Sequence, residues 1–387
     1  MRGRPGQIAG GALARRRTPR GHGALYDAVN TGRVEFDRLR TAIGALPIPR
    51  AGDGRITLAV DVSNWLRPDA AVSPQRLFCH VYGRGRSADQ FIPGWPCSFV
   101  AALETGRTSW TALLDARRLT PADDATAVTA AQLREAVERL IAAGHWAEGD
   151  PEILIVADTG YDLPRIAHEL HGLPVVVTGR VRSDRVFCFP AVNTYRRQGG
   201  RPSRHGVVFK LADRATWPDA AHATRTATTR YGTAVASGWD RLHPRLTHRT
   251  TWLDDEGELP VIEGTLIRLE VAHLPGERDP KPVWLWASTT GASAGLIDVL
   301  WQAYLRRFDL EHTFRMLKQT LGWTRPRLRD PAAADRWTWL VIAAHTQLRL
   351  ARGRLADLRR PWERPAEPRR LTPARVRVCK VIGVTGL

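Results

Sequence analysis

Within the segment YLRRFDLEHTFRMLK, Tyr304, Arg307, Glu311 and Lys318 follow one another at steps of three, four and seven residues. The segment has no Gly or Pro and carries apolar residues at helical intervals, so it reads as helix. At 100° per residue the four side chains fall within an arc of about 60°. Arg315 lies beside them, and Leu310, Phe314, Leu317 and Leu321 form an adjoining apolar stripe that can seat the helix on a core. A carboxylate is thus set among cations and a phenol on a rigid element. Such a group can take part in binding a metal ion or a polyanion; it is also what a solvated helix face with i,i+4 ion pairs looks like. Usage weighs against the second reading at Lys318: of 57 Lys and Arg, the lysines are Lys210, Lys281, Lys318 and Lys380 alone.

Two further carboxylates share a context. RITLAVDVSNWL reads as a buried strand with Asp61 at or near its end, and PEILIVAD as a strand that ends at Asp158. A strand buried on both faces has no ordinary use for a carboxylate, because an unpaired buried charge is costly. Strand ends are also where α/β sheets place their sites. Each Asp alone is equally a turn residue or a helix N-cap, above all Asp158, which TGYD follows. Taken with Glu311, they make three carboxylates able to hold two Mg²⁺ ions, hard cations that prefer oxygen. Two such ions about 4 Å apart stabilise the attacking and leaving oxygens of an in-line phosphoryl displacement.

The elements that must bring these acids together can be read in outline. Leu25–Leu46 suits one or two short helices. After the Asp61 strand come LFCHVYG (Leu77–Gly83), SFVAALE (Ser98–Glu104) and SWTALLDARRL (Ser109–Leu119), successive strands that suggest an antiparallel meander. Thr129–Trp146 reads as a helix with Thr129 as its N-cap and Gly144 near its end. Asp162–Gly172 is a short helix carrying Arg165 and His168, and Pro174–Val181 a strand. Residues 190–262 are basic and irregular, with isolated strands around Val207–Leu211 and Gly232–Trp239, and read as an inserted subdomain. Strands at Thr265–Val271 and Pro282–Ser288 precede a long helix from about Gly295 that carries Glu311 and ends at RPRLRDP. A last helix packs through Trp339, Ile342 and Leu348.

A formal net charge of +18 on 387 residues points to a polyanionic partner, most often nucleic acid, although Arg-rich, Lys-poor usage also follows from GC-rich coding sequence. Cys79, Cys97, Cys188 and Cys379 form no C-x-x-C pair, which fits a reduced, cytoplasmic interior and offers no zinc site. The N-terminus lacks an apolar signal-type region, and no apolar run reaches the length of a membrane span. Arg2–Pro5, RGRP, has the core of a minor-groove arm, or is simply part of a basic end. GGRPSRHG (Gly199–Gly206), with Arg201, Arg204 and His205, reads as a loop that follows a DNA backbone or as a solvated loop. Phosphate-loop, HExxH and EF-hand motifs are absent, which leaves no sequence support for nucleotide-driven or zinc-hydrolytic chemistry.

The order strand with Asp61, strand with Asp158, insertion, helix with Glu311 resembles the ribonuclease H-like catalytic domain of DDE transposases. The spacing Y-x2-R-x3-E-x6-K, within RFDLEHTFRMLKQTLGW, matches the Tyr-Arg-Glu-Lys signature of one group of bacterial insertion-sequence transposases, and the similarity runs from about Arg55 to Leu350. The resemblance implies an α/β fold, a mixed sheet flanked by helices and interrupted by a β-rich insertion. It divides the chain into a basic segment 1–54, catalytic parts 55–189 and 263–358 around an insertion 190–262, and a Pro/Arg-rich tail 359–387. Asp61, Asp158 and Glu311 would ligate two Mg²⁺ ions, with Mn²⁺ able to substitute. Metal-activated water would cut a DNA strand, and the 3′-hydroxyl released would attack a second phosphodiester. Tyr304, Arg307, Arg315 and Lys318 would contact phosphates near the cut. In this group an aromatic of the insertion stacks on a displaced base; Trp239, Trp284 and Trp286 are candidates here, and equally ordinary core residues. The partners implied are double-stranded DNA, namely terminal inverted repeats and target, and a second copy of the chain in a homodimer. A nucleoid-associated place in the cytoplasm, with no membrane and no nucleotide cofactor, follows from that. Two features depart from the pattern: a short region before the first strand, and an abruptly apolar ending, VRVCKVIGVTGL, like a frameshifted or truncated tail. A remnant that binds DNA without cutting it, and a structure-selective nuclease of the same fold, are the rival expectations.

Overall fold

A computed structural model describes the chain apart from residues 1–21, 82–89, 107, 193–202, 249–251, 253–256, 275–278, 356–361, 363–370 and 378–387. Helices α1 (His22–Thr31) and α2 (Phe36–Gly44) precede strand β1 (Thr57–Leu66), followed by β2 (Leu77–Val81), β3 (Gln90–Leu103) and β4 (Thr111–Arg118). Then come α3 (Ala125–Ala142), β5 (Ile153–Ala157), α4 (Leu163–Glu169), β6 (Val175–Val181) and β7 (Val186–Pro190). Strands β8 (His205–Lys210), β9 (His222–Thr228), β10 (Gly232–Pro244), β11 (Gly264–Val271) and β12 (Val283–Ala287) lead into helices α5 (Ala294–Arg306), α6 (Phe308–Arg315) and α7 (Pro331–Ala351).

The strands form one mixed sheet in the order β2-β3-β1-β5-β6-β12-β11-β10-β7-β8, with β4 on β3 and β9 on β10. Strand β3 pairs antiparallel with β1, while β5 and β6 run parallel to β1. This is the ribonuclease H-like arrangement that the sequence led us to expect. The first strands are not a simple meander, however. The 14-residue β3 spans two partners on its far edge, β2 against its first half and β4 against its second.

Alternation along the strands sends their side chains to two separate packed layers. Ile153, Ile155 and Ala157 of β5 join the cluster that includes Leu133 and Val137 of α3, whereas Leu154 and Val156 join Ile297, Leu300, Trp301 and Tyr304 of α5. Helix α5 lies close on the sheet: a Cβ on Gly238 would sit 2.4 Å from Ile297 Cδ1. The α3 helix starts four residues before the expected cap, because Asp124, not Thr129, accepts hydrogen bonds from Thr126 N and Ala127 N.

The long helix expected from Gly295 is broken. It ends at Arg306, resumes at Phe308, and from Met316 to Leu321 widens into a π-helical turn closed by Gly322 at φ 77°. The apolar stripe behaves as its periodicity requires: Leu310, Phe314 and Leu317 are buried. Phe314 packs on Phe99 of β3 at 5.2 Å between ring centroids, and Phe99 and Trp65 both meet Trp323. The described residues within 190–262 hold more strand than their composition suggests. Strand β10 pairs with β11 over most of its length, so this region extends the main sheet, and Phe209, Trp217, Trp239 and Trp284 pack ring against ring there.

Candidate active site

Asp61 sits in the middle of β1, not at its end as the apolar run implied. What ends near it is β1's second neighbour. The parallel pairing with β5 is Thr57 with Leu154, Leu58 with Ile155 and Ala59 with Val156; continuing that register sets Asp61 opposite Asp158, one residue past the end of β5. The two carboxylates therefore lie side by side where the sheet opens. On its other edge Asp61 is paired with Phe99, and directly opposed residues of an antiparallel pair share a face. Since Phe99 seats Phe314 of α6, the aromatic contact that docks this helix also brings Glu311 over Asp61.

Arg307, at the junction of α5 and α6, joins the three acids. One terminal nitrogen lies 3.0 Å from Asp61 Oδ2; the other is 3.1 Å from Asp158 Oδ2 and 3.8 Å from Glu311 Oε1. The arginine side chain is 4 % exposed, against 21 %, 38 % and 52 % for the three acids. Tyr304, also buried, donates its hydroxyl to Asp158 Oδ1 at 3.4 Å, and Asp61 Oδ1 accepts from Val62 N. Burial pushes the Asp61 carboxyl up to about 6; Arg307 and the Val62 amide oppose that rise, while Asp158 and Glu311 add to it. At Arg307 burial works to lower the pKa, yet the neighbouring acids, Asp158 first, hold it above its ordinary value.

Three carboxylates converging on one guanidinium make a site whose acids outnumber the cation that faces them. All three ligand candidates are oxygen donors, so the set fits a hard cation such as Mg²⁺ or Mn²⁺. Their spacing in this state is nonetheless set by the guanidinium: among the described residues no three His, Cys, Asp or Glu side chains are close enough to share an ion.

The other sequence candidates divide. Arg315 is exposed on α6. Lys318, carried round by the π-turn, holds its ammonium 5.7 Å from the Trp323 ring centroid, and burial lowers its pKa. Among the described residues no ion pair joins Lys318 to the three acids. Arg204 pairs with Glu258 at 2.8 Å and donates to Leu259 O, and His205 Nδ1 lies 2.9 Å from His243 Nε2. Trp239, Trp284 and Trp286 are all buried, with Trp239 donating to Pro218 O and Trp286 to Leu242 O. Arg201, the Arg2–Pro5 motif and Cys379 lie outside the described residues. Arg165 pairs with Asp124, and the His168 ring meets Trp252, so neither reaches the acids through these contacts.

Two aromatics near the acids escaped the sequence reading. Tyr161, three residues after Asp158, has a buried hydroxyl without a hydrogen-bond partner among the described residues, and burial raises its pKa. Phe308 is 45 % exposed, three residues before Glu311 on the same helix, with the Arg307 guanidinium 5.2 Å from its ring centroid. An exposed Phe inside an otherwise amphipathic helix was the available signal for the second; nothing in the sequence marks the first.

No curated protein matches the chain at a significant level. A family model described as DDE superfamily endonuclease matches residues 9–245, more than half of the chain, and that span holds Asp61 and Asp158 on the two neighbouring strands while Glu311 lies beyond it. The chain belongs to the DDE superfamily endonuclease family.

Proposed function

We propose that this endonuclease is a DNA transposase of the group with the Tyr-Arg-Glu-Lys signature, cutting DNA at element ends and joining the ends to target DNA. Nucleases of the superfamily act on DNA and generally use divalent metals. The observation that carries the reading is the meeting of Asp61, Asp158 and Glu311, residues from three separate elements, around one guanidinium. In this proposal the three acids hold Mg²⁺, two ions in the working complex. Ions held there would activate a water, and later the DNA 3′-hydroxyl, for attack and would stabilise charge on the phosphoryl group.

The chain's own residues do the rest. Asp61 and Asp158 are fixed by the register of β1 and β5, so the oxygens offered to a cation are preorganised by the backbone. Tyr304 holds Asp158 in its rotamer through the hydroxyl bond. Glu311, the most exposed of the three, faces the incoming DNA, and the exposed Arg315 binds its backbone, which Lys318 could join only by leaving the Trp323 ring that now holds it. Arg204 and His205 offer further DNA contacts along residues 190–262, which we take as the insertion between catalytic parts 55–189 and 263–358. Trp239 could stack on a displaced base only after leaving the aromatic cluster that now buries it.

The test is a nicking and joining assay on DNA carrying the element's ends, with Mg²⁺ or Mn²⁺. Wild-type protein is expected to release 3′-hydroxyl ends and form joined products. Asp61→Asn, Asp158→Asn and Glu311→Gln are each expected to lower cleavage at least about a thousandfold, with DNA binding retained. Cleavage at the wild-type rate by any of the three removes that residue from the proposal, and hydrolysis without joined products reduces the reading to a nuclease.

A further inference from the structure

We propose that Arg307 and a divalent cation are alternative occupants of the space between Asp61, Asp158 and Glu311, and that a DNA phosphate exchanges one for the other by drawing the guanidinium away. The inference rests on the reading of the three acids as the ion-binding set, and adds how that set is loaded.

Both terminal nitrogens of Arg307 are committed to the acids, at 3.0 Å from Asp61, 3.1 Å from Asp158 and 3.8 Å from Glu311. The oxygens so engaged are Oδ2, Oδ2 and Oε1, one from each acid, turned inward on a single cation. An ion ligated by the same atoms needs oxygens within about 2.0–2.6 Å of its centre, a smaller cage than a guanidinium fills. Guanidinium and ion therefore cannot be bound together without one withdrawing. This accounts for three convergent acids that are nevertheless too far apart to share an ion among the described residues.

The guanidinium also has somewhere to go. Its Nε is buried and has no hydrogen-bond partner among the described residues, so the present pose leaves part of the group unsatisfied there. Its Cζ lies 5.2 Å from the Phe308 ring and 5.9 Å from the Tyr304 ring. Phe308 is exposed, so the guanidinium already lies beside a ring that reaches solvent. A phosphate arriving there offers Arg307 bidentate oxygens in exchange for the carboxylates. Removing the guanidinium leaves three mutually repelling acids whose charge an ion would neutralise. Metal and DNA then bind with positive coupling, which by linkage works equally in both directions.

The test is Mn²⁺ binding by the full chain, followed by electron paramagnetic resonance or calorimetry, with and without a short duplex. If the pocket is about ten times more often filled by Arg307 than open, DNA-free wild type binds Mn²⁺ about tenfold more weakly than Arg307→Gln does. Because a phosphate can itself ligate Mn²⁺, this DNA-free comparison is the deciding one. Arg307→Lys, which keeps the charge but lacks the fork that reaches two acids at once, is expected to fall between; it also serves if circular dichroism finds Arg307→Gln unfolded. Equal or weaker Mn²⁺ binding by Arg307→Gln, or by Arg307→Lys in its place, overturns the exchange while leaving the three acids as ligands. If Mn²⁺ binding with duplex present is insensitive to Asp61→Asn, the ion-binding reading fails and the exchange with it.

Discussion

Asp61→Asn separates what the site costs the fold from what it does for chemistry. The Asp61 side chain is 21 % exposed, and its carboxyl is raised from an ordinary 3.8 to about 6, with burial as the first cause. A carboxyl whose folded pKa lies above its unfolded value favours the folded state fully below about pH 4, and that contribution is lost as pH rises through about 6. The full difference corresponds to about 3 kcal/mol. Asp158 and Glu311 share the same guanidinium, so we expect about 1–2 kcal/mol to belong to this residue. Asn cannot ionise, yet its carbonyl can still accept from Arg307 and Val62. The variant should therefore be more stable than wild type by about 1–2 kcal/mol at pH 8 in EDTA, or about 1–3 °C in melting temperature for a chain of this size. The advantage should vanish near pH 4. Thermal melts of both proteins at pH 4, 6 and 8 measure it, and comparing the two cancels other titrating groups, such as Asp309, also raised to about 6. If the two melting temperatures move in parallel across that range, or the variant is the less stable at pH 8, the reasoning is wrong.

Three further perturbations address the scaffold. Asp115 is fully buried and holds both Arg40 and Arg139 at 2.9 Å, tying α2 and α3 to β4. Asp115→Ala should cost about 3 kcal/mol in urea unfolding, because Arg40 and Arg139 lose their buried partner and keep only the more exposed Asp37 and Glu135. Trp323→Ala removes the ring that joins Trp65 and Phe99 beneath α6, and should cost about 3–5 kcal/mol. It should also reduce cleavage at temperatures where the fold persists, since Glu311 rides on that helix. Gly264→Ala would set a Cβ 2.2 Å from Ala287 O, a backbone atom that cannot turn aside, so a loss of about 2 kcal/mol or more is expected in the same assay.

The acids were legible because each breaks a local rule. Asp61 and Asp158 interrupt apolar strands, and Glu311 stands on an amphipathic helix with a clear buried stripe. That Asp61 is mid-strand was not legible, because the end that matters is that of β5, and register between distant strands leaves no mark on either alone. The helical arc through Tyr304, Arg307, Glu311 and Lys318 assumed a continuous α-helix. The break at Arg307 and the π-turn from Met316 carry no Pro or Gly to announce them, and they separate Lys318 from the other three. Arg307 was expected to meet phosphate; its pairing with all three acids depends on tertiary approach. The strands within residues 190–262 were underestimated for a similar reason. Polar alternation in β9, HATRTAT, is weak on its own; pairing with β10 fixes it, and so do Thr224 and Thr226, which donate to Asp298 of α5.

Metal-directed backbone cleavage tests most directly whether Asp61, Asp158 and Glu311 together surround the metal site. Wild-type protein bound to duplex DNA would be loaded with Fe²⁺ and treated with ascorbate and peroxide, and the cut sites mapped by mass spectrometry. Cuts clustered in β1 around Asp61, just after β5 around Asp158 and on α6 around Glu311, all suppressed by excess Mg²⁺, are the predicted outcome. Cuts confined to one of these segments, or centred elsewhere in the chain, would contradict it.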